Sequence, residues 1–203
     1  MIRRLLARLS ERPDQRGASP RDVEHHVVRG MAVRVINTRP DIRTAEVLDR
    51  LGAALDLIAR YAPRRYRRMA HDISGFVVER FACRGAFFPA SRECLVELTF
   101  TVNPRHGLPE IAASIVHEAT HARVARMCRT RSPDQHAREE RLCRRAELEL
   151  GLALPDGAVV VARARESLAL GDREVAPIVD WSEAARRIAE VDARAGEPEP
   201  GRE

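Results

Sequence analysis

The sequence predicts an α+β fold. Three observations carry that expectation: a strongly β-prone run at Cys94–Val102, helical-period apolar positions on either side of it, and an order that places a small sheet ahead of two long helices. Hydrophobic residues make up 44% of the 203-residue chain, enough for one substantial core. Aromatics are only 4%, so that core must rest on Leu, Val, Ile and Ala.

The elements follow in order. Residues 1–22 read as a basic tail or short amphipathic helix, ending in Gly17-Ala18-Ser19-Pro20. Val27–Ile36 is rich in Val and Ile and reads as a strand. Thr44 can cap a helix over Ala45–Tyr61, whose Val47, Leu48, Leu51, Leu55 and Ile58 keep the helical period. Pro63 ends that helix or opens a short second one. Ile73–Ala82 and Gly85–Phe88 are strand candidates, Pro89–Arg92 is a turn, and Cys94–Val102 is the clearest strand. Asn103–Gly107 breaks it, and Pro109-Glu110 opens a helix over Ile111–Met127, Pro being tolerated in a first turn. After a loop at Arg129–Pro133, Ser132-Pro133-Asp134-Gln135 starts a helix to about Leu150, with Gly151 as its stop. Ala158–Leu170 and Ser182–Ala193 are further helices. The domain organisation is therefore a tail (1–22), a core (23–152), a helical extension (153–195) and a Gly/Pro/Glu-rich tail (196–203) expected to be disordered.

Charge and cysteine usage narrow the function classes. The net charge is +5, with 35 basic residues, all Arg, against 30 acidic ones. The densest run, Arg64-Arg65-Tyr66-Arg67-Arg68, either touches phosphates or an anionic lipid surface or is a solvated helix end. Stacking aromatics are not interleaved with it, so no nucleic-acid partner is expected. Cys83, Cys94, Cys128 and Cys143 form no CxxC pair and are too scattered for a disulfide scaffold. Cys83 could face Cys94 across a hairpin, and Cys128 could face Cys143 across two helices; otherwise all four are small buried hydrophobes in a reducing compartment. No uncharged apolar run has transmembrane length, and Arg8 interrupts the N-terminal apolar stretch. A cytoplasmic location is expected.

The chemistry lies in His117-Glu118-Ala119-Thr120-His121, an HExxH motif. Residues four apart on a helix share a face, so both imidazoles can reach one metal ion. Glu118 can then stand beside the metal as a general base for its water. A catalytic zinc needs a third protein ligand. Glu140 stands eighteen intervening residues after His121 on the next predicted helix, with Glu139 beside it as the alternative ligand. Ile111, Ala112, Ile115 and Val116 form an apolar lead-in suited to holding desolvated ligands, whereas Arg123 is a charged departure just past the motif.

HExxH-x18-E resembles the ligand spacing of the gluzincin metallopeptidases, notably the aminopeptidase N type. There the distal ligand is the Glu of an Asn-Glu-Gly-Phe-Ala-like segment; here Glu139-Glu140-Arg141-Leu142-Cys143 matches it, with Glu140 on the ligand and Glu139 on the preceding Asn. The segment is also similar to the Glu-Glu-Gly-Ile-Cys stretch of certain plant peptidases, and the whole chain resembles small bacterial HExxH proteins. The likeness covers Ile111–Glu147, and no GxMEN-like exopeptidase motif is present. What the resemblance implies is a minimal zincin-like core: a small sheet packed on the HExxH helix and a Glu-bearing helix, one zinc ion held by His117, His121 and Glu140, and peptide or amide hydrolysis with Glu118 as base. A zinc-bound, non-proteolytic regulatory or binding module is the alternative.

The remaining polar residues are assigned by position. Glu147, seven residues past Glu140 on the same helix face, either holds a ligand His or forms a surface salt bridge. An oxyanion donor is expected from His136, Arg138 or His106, or from Tyr61 or Tyr66, the only tyrosines. Cys94–Val102 is either the edge strand that takes a peptide substrate by β-addition or a buried central strand. His25 and His26 are adjacent in a predicted strand and point to opposite faces, so they do not easily share one metal and are either structural or the ends of a surface strand.

Overall fold

The computed structural model describes residues 23–127, 133–175 and 181–195. The sequence-based readings of the N-terminal tail, the 129–132 loop, Cys128 and the 196–203 tail lie outside those residues.

The β-prone segments assemble into a five-stranded mixed sheet, as an α+β fold requires. Its strands are β1 (Val23–Val28), β2 (Met31–Ile36), β3 (Gly75–Glu79), β4 (Gly85–Phe88) and β5 (Glu93–Glu97), in the spatial order β1-β2-β3-β5-β4. The single strand expected over Val27–Ile36 is instead the second half of a hairpin. Arg29 and Gly30 both take positive φ, 51° and 77°, and make a two-residue turn that pairs Val28 with Met31. Arg29 is held there by a bidentate pair with Asp56, both bonds at 2.6 Å.

Two helices, α1 (Thr44–Tyr61) and α2 (Pro63–Asp72), make the crossover from β2 to its parallel neighbour β3. Thr44 does not cap α1: Arg43 is the N-cap residue, and the Thr44 hydroxyl donates to Glu24 on β1 at 2.6 Å. Val47, Leu51, Leu55 and Ile58 are fully buried against the sheet and the later helices, as their period predicts.

The clearest predicted strand is cut in half. β5 ends at Glu97 and the chain turns at once into a short helix, α3 (Leu98–Val102). The Glu97 carboxylate accepts the Phe100 backbone N–H at 2.6 Å, and the Thr101 hydroxyl donates to the Glu97 carbonyl at 2.8 Å. A capping carboxylate has overridden β-propensity here. β5 also lies between β3 and β4, so it is the buried internal strand and not the edge.

Helix α4 (Leu108–Met127) carries the HExxH motif, and every residue from Ile111 to Glu118 is buried. That stretch is packed by α1, α2, β4, β5 and the next helix, α5 (Pro133–Ala153), whereas Arg123, Arg126 and Met127 at the C-terminal end of α4 are exposed. Gly151 lies inside α5 and does not stop it. A Cβ there would lie 3.0 Å from Val160, so the glycine permits α6 (Ala158–Ala169) to cross close to α5. Leu154 and Val160, from the predicted extension, join the main core. The described chain closes with α7 (Asp172–Val175) and α8 (Trp181–Ala195), whose Asp192 pairs with Arg80 at 2.9 Å. No helix of the described residues is long and apolar enough to cross a membrane.

Candidate metal centre

Helices α4 and α5 make the largest helix–helix contact of the fold, and the site lies in that seam. His117 and His121, one turn apart on α4, point their Nε2 atoms at each other across 3.1 Å. The Glu140 carboxylate of α5 meets both, one oxygen 3.3 Å from His117 Nε2 and the other 3.2 Å from His121 Nε2. The other nitrogen of each ring is also occupied. His117 Nδ1 lies 2.6 Å from Glu147, and His121 Nδ1 lies 2.7 Å from Glu139. Each Nδ1 thus has a carboxylate partner, and both Nε2 atoms face the Glu140 oxygens.

Glu139 thus reaches the Nδ1 side of His121 and not the Nε2 pair. Glu147 is 1% exposed and also binds Arg144 at 2.7 Å and Arg163 of α6 at 3.1 Å, so it is a buried three-way junction and no surface salt bridge.

A further donor stands in the same seam. Cys143, one turn beyond Glu140 and fully buried, offers a sulfur within 4.8 Å of ligand atoms of His117 and His121. This buried group could hold a metal ion. The spacing from Glu140 placed Cys143 on the right helix face, and that was the signal sequence reasoning passed over.

The electrostatics describe a cage for a cation. Burial alone would depress the His117 imidazole; the Glu140 and Glu147 carboxylates outweigh it and hold the pKa up at about 10. Burial likewise opposes the charged form of His121, but Cys143, Glu139 and Glu140 raise it well above the ordinary histidine value. Burial works against ionised Glu140 as well, yet its bonds to His117 and His121 hold it far below the usual carboxylate range. Glu118 behaves in the opposite sense. It is 8% exposed, and burial lifts its carboxyl above the usual value despite the two nearby imidazoles. Its neighbour is Gly85, the first residue of β4. A Cβ at position 85 would come within 2.9 Å of Glu118 Cγ and 3.0 Å of its Oε1, so only glycine lets the strand pass this close.

The remaining candidates fall elsewhere. His106 packs its ring 4.9 Å from Phe100 and binds Glu110 at 2.9 Å at the start of α4. The Tyr66 hydroxyl donates to the Arg29 carbonyl at 3.2 Å, and Tyr61 lies against the core with Arg60 over its ring at 5.3 Å. Arg138 is exposed and His136 half-buried, and among the described residues neither bonds to the histidine pair. Cys83 and Cys94 are free thiols, Cys94 fully buried. His25 and His26 lie on edge strand β1, where His26 pairs with Glu24 at 3.2 Å.

No protein-family model, curated protein or solved structure matches this chain. The site's own geometry carries the functional argument.

Proposed function

We propose that this protein is a zinc-dependent metallopeptidase, with His117, His121 and Glu140 as ligands and Glu118 as general base. The observation that supports the reading is that the two Nε2 atoms stand 3.1 Å apart, with one Glu140 oxygen 3.3 Å from His117 Nε2 and the other 3.2 Å from His121 Nε2. Zinc bonded at about 2.0–2.1 Å in a tetrahedron spaces its donors by about 3.3 Å. Two imidazoles and one carboxylate also match the donor chemistry of a catalytic zinc, and the carboxylates on both Nδ1 atoms fix the tautomers it needs. When bound, zinc would acidify a water and polarise a carbonyl.

The protein's residues supply the rest. Glu118, its carboxyl raised by burial, is suited to accept a proton from water and to return it to the departing amine. Among the described residues β4 pairs only with β5, and its outer edge is suited to main-chain bonds with an extended peptide passing Glu118. Purified protein should contain about one zinc per chain and cleave a peptide library in a chelator-sensitive way. Less than about a tenth of a zinc per chain overturns the metal assignment.

Cys143 favours a second reading: a non-proteolytic zinc module whose fourth donor is the thiolate, closing the site. Cobalt substitution separates the two. A sulfur donor gives an intense near-ultraviolet charge-transfer band that Cys143→Ala removes; a site of His117, His121 and Glu140 gives only weak visible bands that survive the substitution.

A further inference from the structure

We propose that the protein has a second ligand site, an arginine-lined pocket on the reverse of the metal helix that binds a phosphate group. The run singled out in the sequence folds as part of α2 and divides by helical period. Arg65 turns away to pair with Glu149, and Tyr66 bonds the Arg29 carbonyl. Arg64, Arg67, Arg68 and His71, spaced three and four apart, line one concavity of about 410 Å³ together with Arg123 and Asp72. Among the described residues no hydrogen bond or ion pair engages the guanidinium of Arg64, Arg67 or Arg68.

Asp72 builds the floor. It is 2% exposed, lies 3.6 Å from Arg123 and 3.1 Å from Arg126, and so ties two α4 arginines to the base of the pocket. One carboxylate among this many guanidiniums leaves a large positive excess. Arg123, the charged departure just past HExxH, is on the side of α4 turned away from His117 and His121, so this pocket is separate from the metal centre.

The chemistry selects the ligand. Planar guanidiniums bind oxyanions in bidentate fashion, and several converging on one concavity match a group with two charges and three or more acceptor oxygens, which is phosphate rather than a single carboxylate. Tyr66, the only aromatic residue of the run, has its hydroxyl engaged elsewhere and does not line the pocket, so no base-stacking platform accompanies the charge. The phosphate is that of a small ester or of a lipid headgroup.

Calorimetric titration with inorganic phosphate, and co-sedimentation with phosphatidic acid–phosphatidylcholine vesicles, would test the site. The informative variant is Arg64→Gln/Arg67→Gln/Arg68→Gln. Its control is Arg105→Gln/Arg145→Gln/Arg165→Gln, which removes equal charge from exposed positions elsewhere. We expect saturable binding that weakens at least about 10-fold in the α2 variant and not in the control. Dependence of this kind on soluble phosphate assigns a small phosphoester; dependence seen only with vesicles assigns a headgroup. No saturable binding of either probe, or equal loss in both variants, overturns the proposal.

Discussion

Each imidazole of the site is held at both nitrogens, and this double engagement sets what single substitutions should do. Glu118→Gln keeps the shape of the side chain and removes the proposed base. It should retain the metal while hydrolysis falls by about 10²–10⁴-fold, and metal content measured beside peptide turnover checks both halves. Glu147→Gln and Glu139→Gln leave the Nε2 donors in place but loosen the rings. Each should weaken metal affinity by about 10–100-fold in a competition titration with a chelator. The histidine pair was legible in the sequence because helical spacing alone brings it together, and Glu140, on another helix, because its distance from His121 resembles that of the gluzincins. The distinct positions of Glu139 and Glu140 were not, because adjacent residues on α5 differ only in which side of a histidine ring they reach. Gly85 was likewise hidden, since pairing of β4 with β5 brings it beside Glu118 from far along the chain.

At the scale of elements, the start of α4 and the passage of β4 both make testable demands. Glu110 accepts from the Gly107 N–H at 3.0 Å and binds His106, closing the first turn of the metal helix. Burial alone would raise its carboxyl; those two bonds outweigh it and lower the folded pKa below the unfolded one. The resulting stability is present above the unfolded pKa and is lost as pH falls through the folded value. Glu110→Gln should therefore cost about 1 kcal/mol by urea denaturation near neutral pH, and the two proteins should converge in acid. Gly85→Val should displace Glu118 or β4 and lower peptide turnover while leaving metal content unchanged. The elements themselves were legible where the apolar period was long, as in α1. They were missed where one local contact decides: the Arg29-Gly30 turn that makes a hairpin, the Glu97 carboxylate that ends β5, and the α5–α6 crossing that holds Gly151 inside a helix.

For the whole molecule, the seam between α4 and α5 places four carboxylates around two histidines in the centre of the fold. Metal binding at the proposed centre would therefore also be a stability term. At a metal concentration near 100 times Kd, the gain is about 2.7 kcal/mol, or roughly 5–10 °C in Tm for a chain of this size, and a chelator should reverse it in a thermal melt. From the candidate centre to the periphery runs a chain of contacts through three helices: His117 on α4, Glu147 on α5, and Arg163 on α6. Thermodynamic linkage makes that chain work in both directions. Arg163→Gln should release metal more readily although the residue touches no metal donor, and loading the metal should slow amide hydrogen exchange along α6. The segment that sequence reading set apart as an extension would then report, in its own breathing, whether the centre is filled.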